Sequence, residues 1–467
     1  MPQAAERLSR VDTAWLRMDT DANLMMIIGV WVLQPCLSLP ALRERVQSTL
    51  LRYDRFRRKV AEDALGAQWV EDEAFDLTRH VVRETLPQRR GQSPQQALQQ
   101  RVGELAATPL DPAHPLWQLH LVEELDGRSA LICRIHHCIA DGIALIAVML
   151  SITDGGSLPP PSRKKARRAN AEAGEPDDLL GELLGKAMSL YGDGMARSLD
   201  LLSQPLAGSM DAARVGLQLV NDAAALALMA DDSPTRLKGR ATPGKRVAWG
   251  EPLPLAEVKA VGQALGCSVN DVLLACVAGA VGDYLRAHGD DPTGQEIRAM
   301  VPVNLRPLHK AHELGNRFGL VPLVLPIGIG NPVQRVFAVR ARMQALKGSY
   351  QPLLAFGMLA VAGLLIKPMQ AALLNLFAKK ATAVMTNVPG PAHKLQFCGC
   401  TVEQVMFWVP ASGDIGLGVS ILSYGGGVQF GLITDRQLCP DPQAIVARFG
   451  PQFEALVMTA LMMPWDG

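Results

Sequence analysis

The chain has 467 residues, 46 basic against 45 acidic side chains and a formal net charge of +1; 48% of it is hydrophobic but only 5% aromatic. This charge balance excludes a global pull toward nucleic acid, and no basic patch interleaved with aromatics marks an RNA-reading face. The length allows two or three ordinary domains with large apolar cores.

Residues 1–7 have no apolar stretch after a basic start, so no signal peptide is expected. Residues 7 to about 155 alternate helix-like and strand-like stretches. Residues 42–51 and 95–107 are predicted as helices and 68–70 as a short strand. Residues 116–123 and 130–135 are predicted as neighbouring strands joined at Asp126-Gly127.

The second of these strands runs into His136-His137-Cys138-Ile139-Ala140-Asp141-Gly142, and another apolar run follows at 143–149. The pattern predicts a strand, a histidine pair at its end, a tight turn and a helix. Gly142 would give the backbone room to turn. An imidazole with an ordinary pKa near ~6.5 takes and returns a proton at neutral pH. The spacing asks for a histidine facing a cleft and a carboxylate holding the turn. Cys138 points to the opposite face from His137 and reads as structural.

Residues 154–178 carry a Gly-Gly-Ser-Leu-Pro-Pro-Pro-Ser string and then Arg163-Lys164-Lys165-Ala166-Arg167-Arg168, which reads as a solvated tether. Attraction of this basic run to an anionic membrane is the other reading. Residues 179–230 read as amphipathic helices packed on the body of the protein. From Lys245 onward a strand at 246–249 precedes helices at 254–265 and 269–284, the second almost wholly apolar and capped by Ser268. Strands are expected at 296–303, 319–325, 381–387, 400–409, 416–424 and 427–434. The longest apolar run, 353–366, is fourteen residues, short of the roughly 20 needed to span a bilayer. It reads as a buried helix, with a segment lying on a membrane surface as the alternative.

Eight cysteines without a Cys-x-x-Cys pair suit free thiols in a reducing cytosol, and no metal site is expected. Neither a Gly-x-Ser-x-Gly elbow nor a P-loop is present. The fold class read from this order is α/β, with mixed sheets flanked by helices in two similar lobes. The expected divisions are 1–155, a connection at 156–244, and 245–467.

The histidine heptapeptide resembles the signature of CoA-dependent acyltransferases of the chloramphenicol acetyltransferase and condensation-domain type. Pro115-Leu116-Trp117, Ser268-Val269-Asn270-Asp271-Val272, Val301-Pro302-Val303-Asn304-Leu305-Arg306-Pro307, Gly315-Asn316-Arg317-Phe318-Gly319 and Thr386-Asn387-Val388-Pro389-Gly390-Pro391 follow in an order similar to the bacterial wax ester synthase/diacylglycerol acyltransferase family. The chain departs from that family at 24–29, where Leu-Met-Met-Ile-Ile-Gly replaces the usual Pro-Met-His-Val-Gly. The Asp-Phe-Gly-Trp-Gly string of the plant relatives is absent.

The resemblance implies two chloramphenicol-acetyltransferase-like lobes with an active-site tunnel between them. It implies acyl transfer from acyl-CoA, as substrate and not as cofactor, to a long-chain alcohol or diacylglycerol. His137 would be the base, His136 would shape the strand end, and Asp141 would pair structurally with Arg57, Arg58 or Arg306. Asn270 would orient the base or donate to an oxyanion, or else make a helix N-terminal hydrogen bond. Trp117 would pack beside the strand or line the acyl channel, Gly142 would border substrate, and Asn387 would contact CoA. The expected setting is cytoplasmic, with peripheral contact at the inner membrane or a lipid droplet left open. Two other readings compete: a condensation-type enzyme with a carrier-bound donor, and a non-catalytic lipid-binding or droplet protein.

Overall fold

The computed structural model describes residues 6–63, 66–86, 90–156, 221–222, 225, 228–305, 314–347, 351–362, 364–365, 369–370, 379–411 and 413–463. The basic tether, most of the helical connection and Arg306 lie outside them.

Two mixed sheets organise the chain. The first has the order Gln396–Phe397, Cys400–Trp408, Met26–Gln34, Ser129–His136, Trp117–Val122, Val81–Glu84, and only its last pair is parallel. Ser129–His136 is buried at every position, as a central strand covered on both faces must be. Helix Gly142–Ser151 contributes Ala144, Leu145 and Val148 to the core on one face of this sheet. Helix Pro94–Ala106 sets Leu98, Val102 and Leu105 against Val30 and Ile132 on the other.

The second sheet has the order Phe318–Leu325, Ile297–Asn304, Ala383–Pro389, Leu417–Tyr424, Gly427–Asp435, Lys245–Trp249. Its centre is parallel and its flanks antiparallel. The helix Val269–Ala287 forms its core, buried without a break from Asn270 to Gly282. Ser268 and Asp271 cap this helix reciprocally, each side chain accepting the other's backbone N–H, which satisfies two donors that the first turn leaves open.

Most strands fall within a residue or two of the sequence expectation. The division into lobes at 1–155 and 245–467 requires a correction. Cys400–Trp408 leaves the second lobe and pairs antiparallel with Met26–Gln34, Thr401 opposite Gln34 and Trp408 opposite Ile28. The second half of the chain thus supplies an edge of the first sheet, and the lobes interlock. An alternating strand names its buried face but not the sheet that receives it.

Among the described residues no single helix is long and apolar enough to cross a membrane. Leu255–Ala264 and Val269–Ala287 pass a span test only together, across a 99° bend, and the second of them is buried core.

Candidate active site

The backbone hydrogen bond from His137 N–H to Met25 O (2.7 Å) extends the ladder between Met26–Gln34 and Ser129–His136 by one step. The chain then turns: Ile139 N–H returns to His136 O at 3.0 Å. Asp141 stops the turn as the N-cap of Gly142–Ser151, its Oδ1 accepting Ala144 N–H at 2.9 Å. A carboxylate at the positive end of a helix is favoured there.

The two histidines have opposite surroundings. His136 Nδ1 accepts the Cys138 N–H at 3.1 Å, and its Nε2 lies 3.3 Å from Asp19 Oδ2. Both nitrogens thus face protein groups, which fits a part in shaping the strand end.

His137 is buried in a triangle of rings, stacked on Trp15 (centroids 4.2 Å, planes 13° apart) and tilted against Phe318 (5.5 Å), with Trp15 and Phe318 5.6 Å from each other. Its Nδ1 is sealed and makes no hydrogen bond of good geometry, although its own carbonyl and the Asn316 side chain act on the ring and favour its charged form. Its Nε2 makes none among the described residues either, but is not sealed in the same way. Burial, and to a lesser degree His136 nearby, push His137 down to about 4. The imidazole is therefore neutral at physiological pH, the form a general base requires.

Asp141 does not turn to Arg57 or Arg58. Arg57 pairs with Asp54 at 2.9 Å and Arg58 with Glu71 at 3.0 Å, while Asp141 Oδ2 accepts the backbone N–H of Arg317 at 3.0 Å. Arg306, the third expected partner, lies outside the described residues; among those described, Arg55 reaches the turn, donating to Ile139 O at 2.7 Å, pairing with buried Asp12 at 3.4 Å and lying over the Trp69 ring. Asn316 joins from the second lobe, its Nδ2 donating to His137 O (2.7 Å) and to Asp12 Oδ1 (2.8 Å).

Asn270 and Asn387 meet at a second point. Asn387 Nδ2 donates to Asn270 Oδ1, so the helix start and the end of strand Ala383–Pro389 are joined by the two expected asparagines. The N-terminal hydrogen bond at this helix belongs to Ser268 and Asp271 rather than to Asn270. Among the described residues no hydrogen bond links this pair to the histidine turn.

Gly142, next to Asp141, and Val388, next to Asn387, line one open apolar pocket, although His137, Asn270 and Asn387 themselves are not among its lining residues. Gly142 and Leu145 line it from the helix, Gly29 and Cys133 from the first sheet, and Val388 and Leu422 from the second. Its walls are almost entirely apolar, the usual character of a site for a small ligand. Gly142 does not need a glycine for its backbone, since its φ is not positive. A Cβ there would meet nothing within 4 Å, so the missing side chain keeps space open.

Trp117 does not line this cavity. Its indole Nε1 donates to Phe56 O at 2.9 Å and its ring stacks on His80 at 4.6 Å, so it packs in the core, the first of the two expectations for it. Asp12, Trp15, Asp19, Arg55, Asn316 and Phe318 are additions. The sequence signal for Asn316 and Phe318 is their place in the Gly-Asn-Arg-Phe-Gly string. Asp12 and Trp15 sit on a short helix, Arg10–Arg17, whose periodicity is too brief to mark it.

Two interlocked mixed sheets around a buried histidine turn are the architecture of an acyltransferase. The fold matches the wax ester synthase/diacylglycerol acyltransferase of Marinobacter aquaeolei VT8 over 98% of this chain and 100% of that one, with a TM-score of 0.68 and 20% identity. It also matches the first condensation domain of the CDA synthetase over 98% of each chain, at 0.57 and 14%. In sequence, a probable diacylglycerol O-acyltransferase (tgs1) of Mycobacterium tuberculosis is 27% identical over 445 residues, 93% of this chain and 92% of that protein. The wax ester synthase/diacylglycerol acyltransferase catalytic domain model matches residues 8–273, and the C-terminal domain model of the same family matches 314–457. The chain belongs to the wax ester synthase/diacylglycerol acyltransferase family and is an acyltransferase enzyme.

Proposed function

We propose that the protein transfers a long-chain acyl group from acyl-CoA to the hydroxyl of a fatty alcohol or of diacylglycerol, with His137 as general base. The observation that carries this reading is the isolation of His137: it is neutral, walled by Trp15 and Phe318, and has an Nε2 that no described group occupies.

The acceptor O–H gives its proton to Nε2 as its oxygen attacks the thioester carbonyl. The tetrahedral oxyanion collapses, the carbon–sulfur bond breaks, and the histidine returns the proton to the departing CoA sulfur. Both substrates are held in one complex, so no acyl-enzyme is required. Asn270, its oxygen tied by Asn387, offers its NH₂ to the oxyanion. The apolar cavity takes the acyl chain, and the adjoining Asn387-Val388-Pro389-Gly390 segment faces the donor. Acyl-CoA serves as substrate and no cofactor takes part.

The acceptor would be drawn from a membrane or droplet surface touched from the cytoplasmic side. The exposed Val361, Leu364 and Met369 beside the Gln351–Ala362 helix support such contact.

The test is thiol release from palmitoyl-CoA with and without hexadecanol or dioleoylglycerol, for the wild type and His137→Ala. Acceptor-dependent release that collapses in the variant, with ester recovered, is expected. Equal rates in the two proteins would remove His137 from the mechanism, and no release from either would point to a carrier-bound donor.

A further inference from the structure

Among the described residues no carboxylate orients the His137 imidazole: the aspartate of its motif caps the helix and accepts Arg317 N–H, and Asp19 lies against His136. What touches the His137 peptide instead is Asn316. Both hydrogens of its amide are used, one on His137 O at 2.7 Å and one on Asp12 Oδ1 at 2.8 Å, while its backbone N–H donates to the same Oδ1 at 3.0 Å. Asp12 is fully buried and is held by Arg55, Ser9 and Asn316. Arg55 also bonds Ile139 O, so the turn is gripped at its first and third carbonyls by one connected network.

Asp12 belongs to the first lobe and Asn316 to the loop that enters the edge strand of the second. We infer that Asn316, fixed by Asp12, is a positioning residue for His137, making an aligned base depend on the docking of one lobe on the other. This inference rests on His137 being the base.

A base that accepts a proton must also tolerate the resulting charge. Against burial and His136, the influences that favour a charged His137 are its own carbonyl and the Asn316 side chain, the two groups joined by the 2.7 Å bond. Oδ1 of that side chain is buried and has no hydrogen-bond partner among the described residues. The Asn316–carbonyl unit thus anchors the peptide that carries the ring, and both of its groups favour the imidazolium that forms during transfer.

The experiment compares Asn316→Ala with the exchange Asp12→Asn/Asn316→Asp. The exchange keeps an amide–carboxylate bond between the lobes but leaves no donor for His137 O. For Asn316→Ala, kcat should fall roughly 10- to 100-fold with KM for acyl-CoA within about twofold, the cost of a misaligned group rather than of lost binding. The acid limb of the kcat profile should also move to lower pH. The exchange variant should fold, as judged by thermal unfolding, and stay slow. Recovery of kcat in it would show that the bond only stitches the lobes and would overturn the inference; so would an unchanged kcat in Asn316→Ala. If Asn316→Ala does not fold, the exchange variant decides alone. If the exchange variant does not fold, Asn316→Ser, which keeps a single donor, must lie between wild type and inactivity in kcat. Loss of all turnover in the wild type would instead sink the assignment of the reaction itself.

Discussion

The indole of Trp15 lies flat on the imidazole of His137, ring centroids 4.2 Å apart and planes 13° apart. Together with Phe318 it excludes water from that face and fixes the plane of the ring. Trp15 is therefore one of the groups that make the dry surroundings in which His137 stays uncharged.

Trp15→Ala should let water reach the ring. The acid limb of kcat/KM is expected to rise from the neighbourhood of about 4 toward the ordinary 6.5, and kcat should drop with it. Removing so large a buried side chain should also cost about 3–5 kcal/mol of stability, whereas Trp15→Phe should keep most of both properties. A pH–rate profile of the three proteins is the check; an unmoved limb in Trp15→Ala would take the desolvating role from Trp15.

Stability itself should depend on pH through the same histidine. His137 and His120 are both pushed from 6.5 to about 4, first by burial and then by His136 and Arg134 respectively. Above pH 6.5 both are neutral whether the chain is folded or not, and their contribution is complete. As pH falls from 6.5 toward 4 the unfolded chain takes up protons that the folded one refuses, so stability falls, by at most roughly 3 kcal/mol for each group. Urea midpoints measured between pH 7 and 4.5 should decline, with a smaller decline in His137→Ala. A flat series would contradict the buried, neutral state.

The cavity should read chain length at Gly29. A Cβ there would sit 3.6 Å from Cys133 Cβ and 3.7 Å from Met406 O, ordinary contact distances, so a side chain fits without strain and fills the space. Gly29→Leu should lower kcat/KM for palmitoyl-CoA relative to octanoyl-CoA by 10-fold or more, since each methylene excluded is worth about 1–3 kcal/mol. Competition between the two donors in one reaction measures the ratio. An unchanged ratio would place the acyl chain elsewhere.

Gly319 makes the opposite case. A Cβ would fall 1.9 Å from Pro352 O, so the helix Gln351–Ala362 must lift off its strand to admit an alanine. Phe356 and Leu359 of that helix pack with Trp15 and Phe318 beside His137. Gly319→Ala should therefore cost about 1–3 kcal/mol and reduce turnover together, seen as a lower Tm and a lower kcat. Full activity at an unchanged Tm would show that the helix yields freely.

The two asparagines should be unequal. Asn270→Ala removes the donor proposed for the oxyanion and should lower kcat by roughly 10²-fold or more, with little change in KM. Asn387→Ala removes the group that ties Asn270 and should cost less. Single-turnover rates separate the two, and equal, small effects would make the pair structural.

The histidine turn, the capped helix at Ser268 and most strands could be read directly from the chain, because each depends on neighbours within one or two turns or on a short alternation of apolar residues. Helix Arg10–Arg17 was too short for that, although it carries Asp12 and Trp15. Trp117 was open between core and channel, and only its contacts with Phe56 and His80 place it in the core, since a sequence gives the position of an aromatic ring but not its neighbours.

By itself the sequence determined that a histidine pair closes a buried strand, that the carboxylate of Asp141 holds the turn after it, and which family the motifs belong to. Only the tertiary structure decided that Cys400–Trp408 crosses to the first sheet, that Arg55 bonds the turn at Ile139 O, and that Asn316 meets Asp12 across 304 residues and His137 across 179. The physical reason is range. A cap or an alternating strand is stabilised by atoms close in sequence and leaves a local pattern. A hydrogen bond between lobes exists only once both have packed, and it leaves no periodicity in either segment.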